Sequence, residues 1–103
     1  MDKEEEKIMK AAISAYGQDA QTDMAIEEMS ELTKALLKFR RYGKGVSAND
    51  RLNDIREEIE DVQIMLDQMM LIYGRDLGVR CKKIERLRKR LKDGENNDRD
   101  SQS

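Results

Sequence analysis

Histidine, proline and tryptophan are absent from this sequence, and cysteine occurs once. Without histidine there is no imidazole acid–base catalysis and no histidine-containing zinc site. The absence also argues against a di-iron four-helix bundle, which usually needs Glu-x-x-His pairs. The single Cys81 rules out an internal disulfide. It falls among the apolar positions of the last helical segment and is expected to be a small core residue rather than a nucleophile. No apolar run reaches membrane-spanning length and no secretory pattern is visible, so a cytoplasmic protein with no membrane partner is expected. A net charge of -2 carries no nucleic-acid signature.

What remains is rich in charge and in helix-forming residues. Charged residues make up 41% of the 103 and aromatics only 4%, a balance that suits long amphipathic helices in one small all-α domain. With 38% apolar residues, a single copy has a thin core that oligomerisation is expected to complete. Ile64, Met65 and Ile72 place apolar groups on more than one side of the third helix. A homo-oligomer is therefore expected, with a tetramer built as a pair of dimers favoured over a dimer.

Along the chain, Asp2 with Glu5 reads as a capping box that opens a first helix, whose apolar side carries Ile8, Ala12 and Ala15 or Tyr16. Gly17 ends or kinks it. A second helix runs from about Asp19 to Arg41, although residues 18 to 21 could instead continue the first helix around a bend. Tyr42 to Asn49 reads as a loop with two glycines and two candidate N-caps, Ser47 and Asn49. The third helix spans about Asp50 to Tyr73, with a stripe of Leu52, Ile55, Ile59, Val62, Leu66, Met69 and Tyr73. Gly74 closes it, and Arg75-Asp76 opens a last helix carrying Leu77, Cys81, Ile84, Leu87 and Leu91. The domain is expected to end near residue 92. Residues 93–103 lack apolar side chains and read as a disordered polar tail.

Two carboxylate clusters stand out against this frame, Glu27-Glu28-Met29-Ser30-Glu31 and Glu57-Glu58-Ile59-Glu60-Asp61. Each holds an acid pair three residues apart, Glu28/Glu31 and Glu58/Asp61, and such pairs share a helix face. At roughly 100° per residue, Met24, Leu32, Ala35 and Phe39 lie within about 40° of Glu28. Val62, Met65, Met69 and Ile72 lie equally near Glu58. Both acid pairs thus sit in stripes that should be buried. The short loop makes the two helices antiparallel neighbours. At about 1.5 Å per residue, both pairs stand roughly 12 to 15 Å from the turn, at one level. Buried carboxylates facing one another repel. A hard divalent cation bound through oxygen resolves that conflict. The plainer reading is that these are solvated surface acids, as most helical glutamates are.

The motif Glu27-Glu28-Met29-Ser30-Glu31, followed after 26 residues by Glu58-Ile59-Glu60-Asp61, resembles the EExxE…ExxD signature of the all-α MazG-like nucleotide pyrophosphohydrolases. The flanking residues from Ala25 to Leu32 and from Glu57 to Leu66 are similar to that family too, and the match spans about residues 16 to 92. The resemblance implies an antiparallel helical hairpin with flanking helices, four-helix-bundle-like, that hydrolyses a nucleoside triphosphate (ribo or deoxy) to the monophosphate and pyrophosphate. It implies Mg²⁺, with Mn²⁺ as a substitute, held by Glu28, Glu31, Glu58 and Asp61, with Glu27 as an outer member. The family also places lysine and asparagine in the following helix. Lys82 and Lys83 stand there without the asparagine.

Chemically, a triphosphate cannot approach four carboxylates without metal. A bound cation neutralises the phosphates and acidifies a water. Glu27 or Glu31 would then take the proton of that water. Lys34 and Lys38, or Lys82 and Lys83, would hold the leaving pyrophosphate. The competing class is a non-enzymatic helical-bundle interaction protein, with Met65, Met69 and Met70 as a plastic partner face.

Overall fold

A computed structural model describes residues 1–42 and 48–102. Four α-helices account for nearly all of them: α1 (Lys3–Tyr16), α2 (Gln18–Tyr42), α3 (Ala48–Tyr73) and α4 (Leu77–Gln102). There is no strand among the described residues. The N-cap candidate Ser47 lies outside them.

The helix ends follow from local chemistry. The Glu5 amide donates to Asp2 Oδ1 at 2.7 Å and the Asp2 amide to Glu5 Oε2 at 3.4 Å, which is the expected capping box. Gly17 adopts φ +93°, a value L side chains rarely take, and its amide still bonds to the Ile13 carbonyl at 2.8 Å. One residue thus breaks α1 from α2, and α2 begins at once with Gln18. Gly74, at φ +85°, closes α3 in the same way. Asp76 then caps α4, accepting from the Val79 amide at 3.2 Å.

α2 and α3 form an antiparallel hairpin. Gln21 near the start of α2 meets Gln68 near the end of α3, and Tyr42 at the close of α2 stacks under Arg51 at 5.4 Å. α1 lies along the hairpin and touches both helices. The buried apolar residues are Met9, Ala25, Ile55, Val62 and Met65. Two glutamines share that core. Gln21 Nε2 donates to Gln68 Oε1 at 2.7 Å, and this satisfied polar pair fixes hairpin register at the end away from the turn.

The buried face of α3 differs from the expected stripe. Ile59 is 46% exposed, Leu66 37% and Tyr73 66%, while Glu58 and Asp61 are half-buried and Gln68 is buried. The covered face is therefore rotated by about 70° from the predicted one. The reason is that α2 and α1 flank one side of α3 and leave the other open. α2 has the same asymmetry. Its inner seam runs through Gln21, Ala25, Glu28, Leu32, Ala35 and Phe39, and one residue further round a second seam of Thr22, Ile26, Met29, Thr33 and Leu36 is mostly exposed. Thr22 Oγ1 and Tyr73 OH lie 2.7 Å apart, so the outer seams of both helices share one side of the hairpin.

Among the described residues, α4 packs against none of the other helices. Every described side chain from Leu77 to Glu95 is exposed, including Cys81, which is not the core residue expected. The stripe that should bury it meets none of the other described helices. The projecting helix gives a radius of gyration of 18.8 Å, against about 13 Å for a compact chain of this length. The helix also runs past residue 92 to Gln102, because no proline interrupts it and Gly94 opposes helix by only about 1 kcal/mol. No described helix is long and apolar enough to cross a membrane.

Candidate metal centre

The hairpin brings three of the four expected acids together. One carboxylate oxygen from each of Glu28, Glu58 and Asp61 lies within 4.8 Å of the other two. Glu28 sits in the inner seam of α2 between Ala25 and Leu32, and Glu58 in that of α3 between Ile55 and Val62. Asp61, one turn on, reaches in from the flank. Oxygen ligands of Mg²⁺ at about 2.1 Å stand about 3 Å apart when adjacent and 4.2 Å when opposite. The observed spacing needs side-chain shifts of an ångström or less, within reach of half-buried carboxylates.

The electrostatics are unrelieved. Glu58 Oε2 is buried with no hydrogen-bond partner. The Glu58 carboxyl is pushed above its usual 4.5, first by loss of water and then by Asp61, Glu28, Glu31 and Glu57. Glu28 is pushed up in the same way, by loss of water, then by Asp61, Glu27 and Glu31. No arginine or lysine pairs with the trio among the described ion pairs. An all-oxygen donor set, held in like-charge repulsion and with one oxygen unsatisfied, fits a hard divalent cation.

Glu31 is not part of the trio. It is exposed, and its Oε1 accepts from Lys34 Nζ at 3.3 Å. It lines a cavity of about 150 Å³ with Lys34, Ala35, Lys38, Asp54 and Glu58. Four predicted residues thus line one cavity beside the acid trio: Glu31, Lys34, Lys38 and Glu58. Asp54 was missed by sequence reasoning, although its place four residues before Glu58 sets it on the same face. Glu27 is exposed on the flank of α2, near enough to raise Glu28 but not lining the cavity. Lys82 and Lys83 lie on α4 and are not brought to the acids within one chain.

A pH dependence follows. In the folded chain Glu28 and Glu58 hold their protons more tightly than in the unfolded chain, where carboxyls titrate near 4.5. Stability tied to those protons is complete below pH 4.5 and is lost as pH rises through the raised values. Glu58→Gln removes that loss. Without metal, the melting temperature of the variant minus that of wild type should be near zero at pH 4 and grow positive towards pH 7. A difference that stays flat across thermal melts in this range contradicts the assignment.

No protein-family model, no curated protein and no solved structure matches this chain.

Proposed function

We propose that this chain is a divalent-cation-dependent nucleoside triphosphate pyrophosphohydrolase. The observation that carries the reading is the convergence of Glu28, Glu58 and Asp61, with Glu58 Oε2 buried and unpartnered. The resemblance of the two acidic motifs to the MazG-like family supports it. The rival reading, a bundle that only binds partners, offers no reason for a buried orphaned carboxylate oxygen.

In this reading Glu28, Glu58 and Asp61 would hold Mg²⁺, which when bound would supply charge neutralisation for the triphosphate and a lowered pKa for water. Lys34 and Lys38 take the β and γ phosphates across the cavity mouth. Glu31, which lines the cavity where Glu27 does not, accepts the proton as water attacks the α-phosphorus. The α–β bridging P–O bond breaks, and its oxygen leaves with pyrophosphate. The raised Glu58 and Glu28 are ligands rather than bases, since a cation favours their charged forms. A cytoplasmic location goes with such a substrate.

The test is a panel of ribo- and deoxynucleoside triphosphates incubated with protein and Mg²⁺, with products read by ³¹P NMR. Monophosphate and pyrophosphate are expected. Diphosphate and orthophosphate, or no turnover on any nucleotide, would contradict the reading.

Self-association belongs to the same proposal. The outer seams leave Ile26, Met29 and Leu36 of α2 and Ile59 and Leu66 of α3 open to water on the side of the hairpin where Thr22 meets Tyr73. Leu66→Asp should lower the assembly mass measured by light scattering at micromolar concentration. An unchanged mass would exclude this face as an interface.

A further inference from the structure

We propose that α4 of one copy docks into the groove between α1 and α3 of a second copy. The groove is about 430 Å³ and is lined by Ile8, Met9 and Ala12 of α1 and by Glu60, Ile64 and Asp67 of α3, among others. Its apolar lining includes Met9, which is buried, and Ile8 and Ile64, which are open to water at 61% and 45%. Its rim is acidic, with Glu5, Glu60 and Asp67, and no basic residue lines it.

α4 carries the complementary pattern, and none of the other described helices covers it. From Leu77 to Glu95 it holds eight basic side chains against three acidic ones, so its charge is opposite to that of the groove. Leu77, Ile84 and Leu91 recur every seven residues on one face, and Ile84 is 52% exposed. Arg80 and Arg88 stand one turn to either side of Ile84 on that face. On α3, Glu60 and Asp67 bracket Ile64 in the same manner. The two acids are about 10.5 Å apart along their helix and the two arginines about 12 Å along theirs. An acid–Ile–acid row on α3 thus faces an Arg–Ile–Arg row on α4. Arg88 already meets Glu85 at 3.1 Å, but that pair is exposed and easily exchanged.

The inference does not rest on the pyrophosphohydrolase reading. Two variants test it by sedimentation velocity at low salt, each first checked for wild-type helicity by circular dichroism. One carries Glu60→Lys and Asp67→Lys, the other Arg80→Glu and Arg88→Glu. Each alone should form a smaller assembly than wild type, because like charges now meet. Mixed in equal amounts, they should regain the wild-type mass, since every groove again faces an α4 of opposite charge. Ile84→Asp should also reduce the mass. The proposal is overturned if either charge variant alone keeps the wild-type mass, if mixing restores nothing, or if wild type is a monomer. Dissociation by Leu66→Asp with no effect of the groove variants would place the interface elsewhere and overturn it too.

Discussion

Glu58→Gln is expected to cut pyrophosphate release by at least about 100-fold while leaving the metal-free protein as stable as wild type or more so. The side chain keeps its shape and loses its charge. In the metal-free protein that charge is a liability, since Glu58 stands beside Glu28 and Asp61 with a buried, unpartnered oxygen. In the proposed metal-loaded protein the same charge would be a ligand, and damage to groups that stabilise transition-state charge costs on the order of 10²–10³ in turnover. Stability and activity should therefore move in opposite directions. Two other accounts give different outcomes. If the acids were solvated surface, neither quantity would change much. If Glu58 were half of a buried ion pair, neutralising it would strand its partner and lower the melting temperature markedly. Melting curves with chelator and steady-state turnover on both proteins separate the three.

Millimolar Mg²⁺ is expected to raise the melting temperature of wild type by roughly 5–10 °C. A ligand that binds only the folded state at ten times its Kd contributes about 1.4 kcal/mol. For a domain of about 100 residues, that converts to a shift of this size. Under the proposal, relief of repulsion among Glu28, Glu58 and Asp61 would be the source of the differential binding, because the unfolded chain has no such convergence. Glu58→Gln and Asp61→Asn should each lose most of the shift. The same shift in wild type and both variants would mean that the cation binds elsewhere, and no shift in wild type would argue for an interaction bundle without a metal site.

The parts of the fold that were legible in the sequence are those where helix geometry maps position onto angle and height. The spacing of Glu28 and Glu58 from the turn put them at one level, and Gly17 and Gly74 marked breaks because both need a positive φ. The Asp2–Glu5 capping box could be read directly. Three features could not. The stripe chosen on α3 alternated between its inner and outer seams, because Ile59, Leu66 and Tyr73 are as apolar as the residues that are covered. Which seam is buried depends on where α1 and α2 lie, and that is not written in α3 itself. The burial of Gln21 and Gln68 has no local sequence signal, since only a partner 47 positions away satisfies their amides. The periodicity of α4 promised a core position for Cys81, but periodicity states that a face wants covering and not what covers it. At the site, Glu31 and Asp61 stand at the same offset of about 60° from their seams, yet Asp61 turns in to the trio and Glu31 turns out to Lys34, three residues on along its own helix.

The most direct test of the central claim, that Glu28, Glu58 and Asp61 form one divalent-cation site, is an electron paramagnetic resonance titration with Mn²⁺. Wild type is expected to bind Mn²⁺ with Mg²⁺ competing for it, while Glu58→Gln and Asp61→Asn bind it far more weakly at unchanged helicity. Wild type that binds no Mn²⁺, or variants that bind it as wild type does, would contradict the claim.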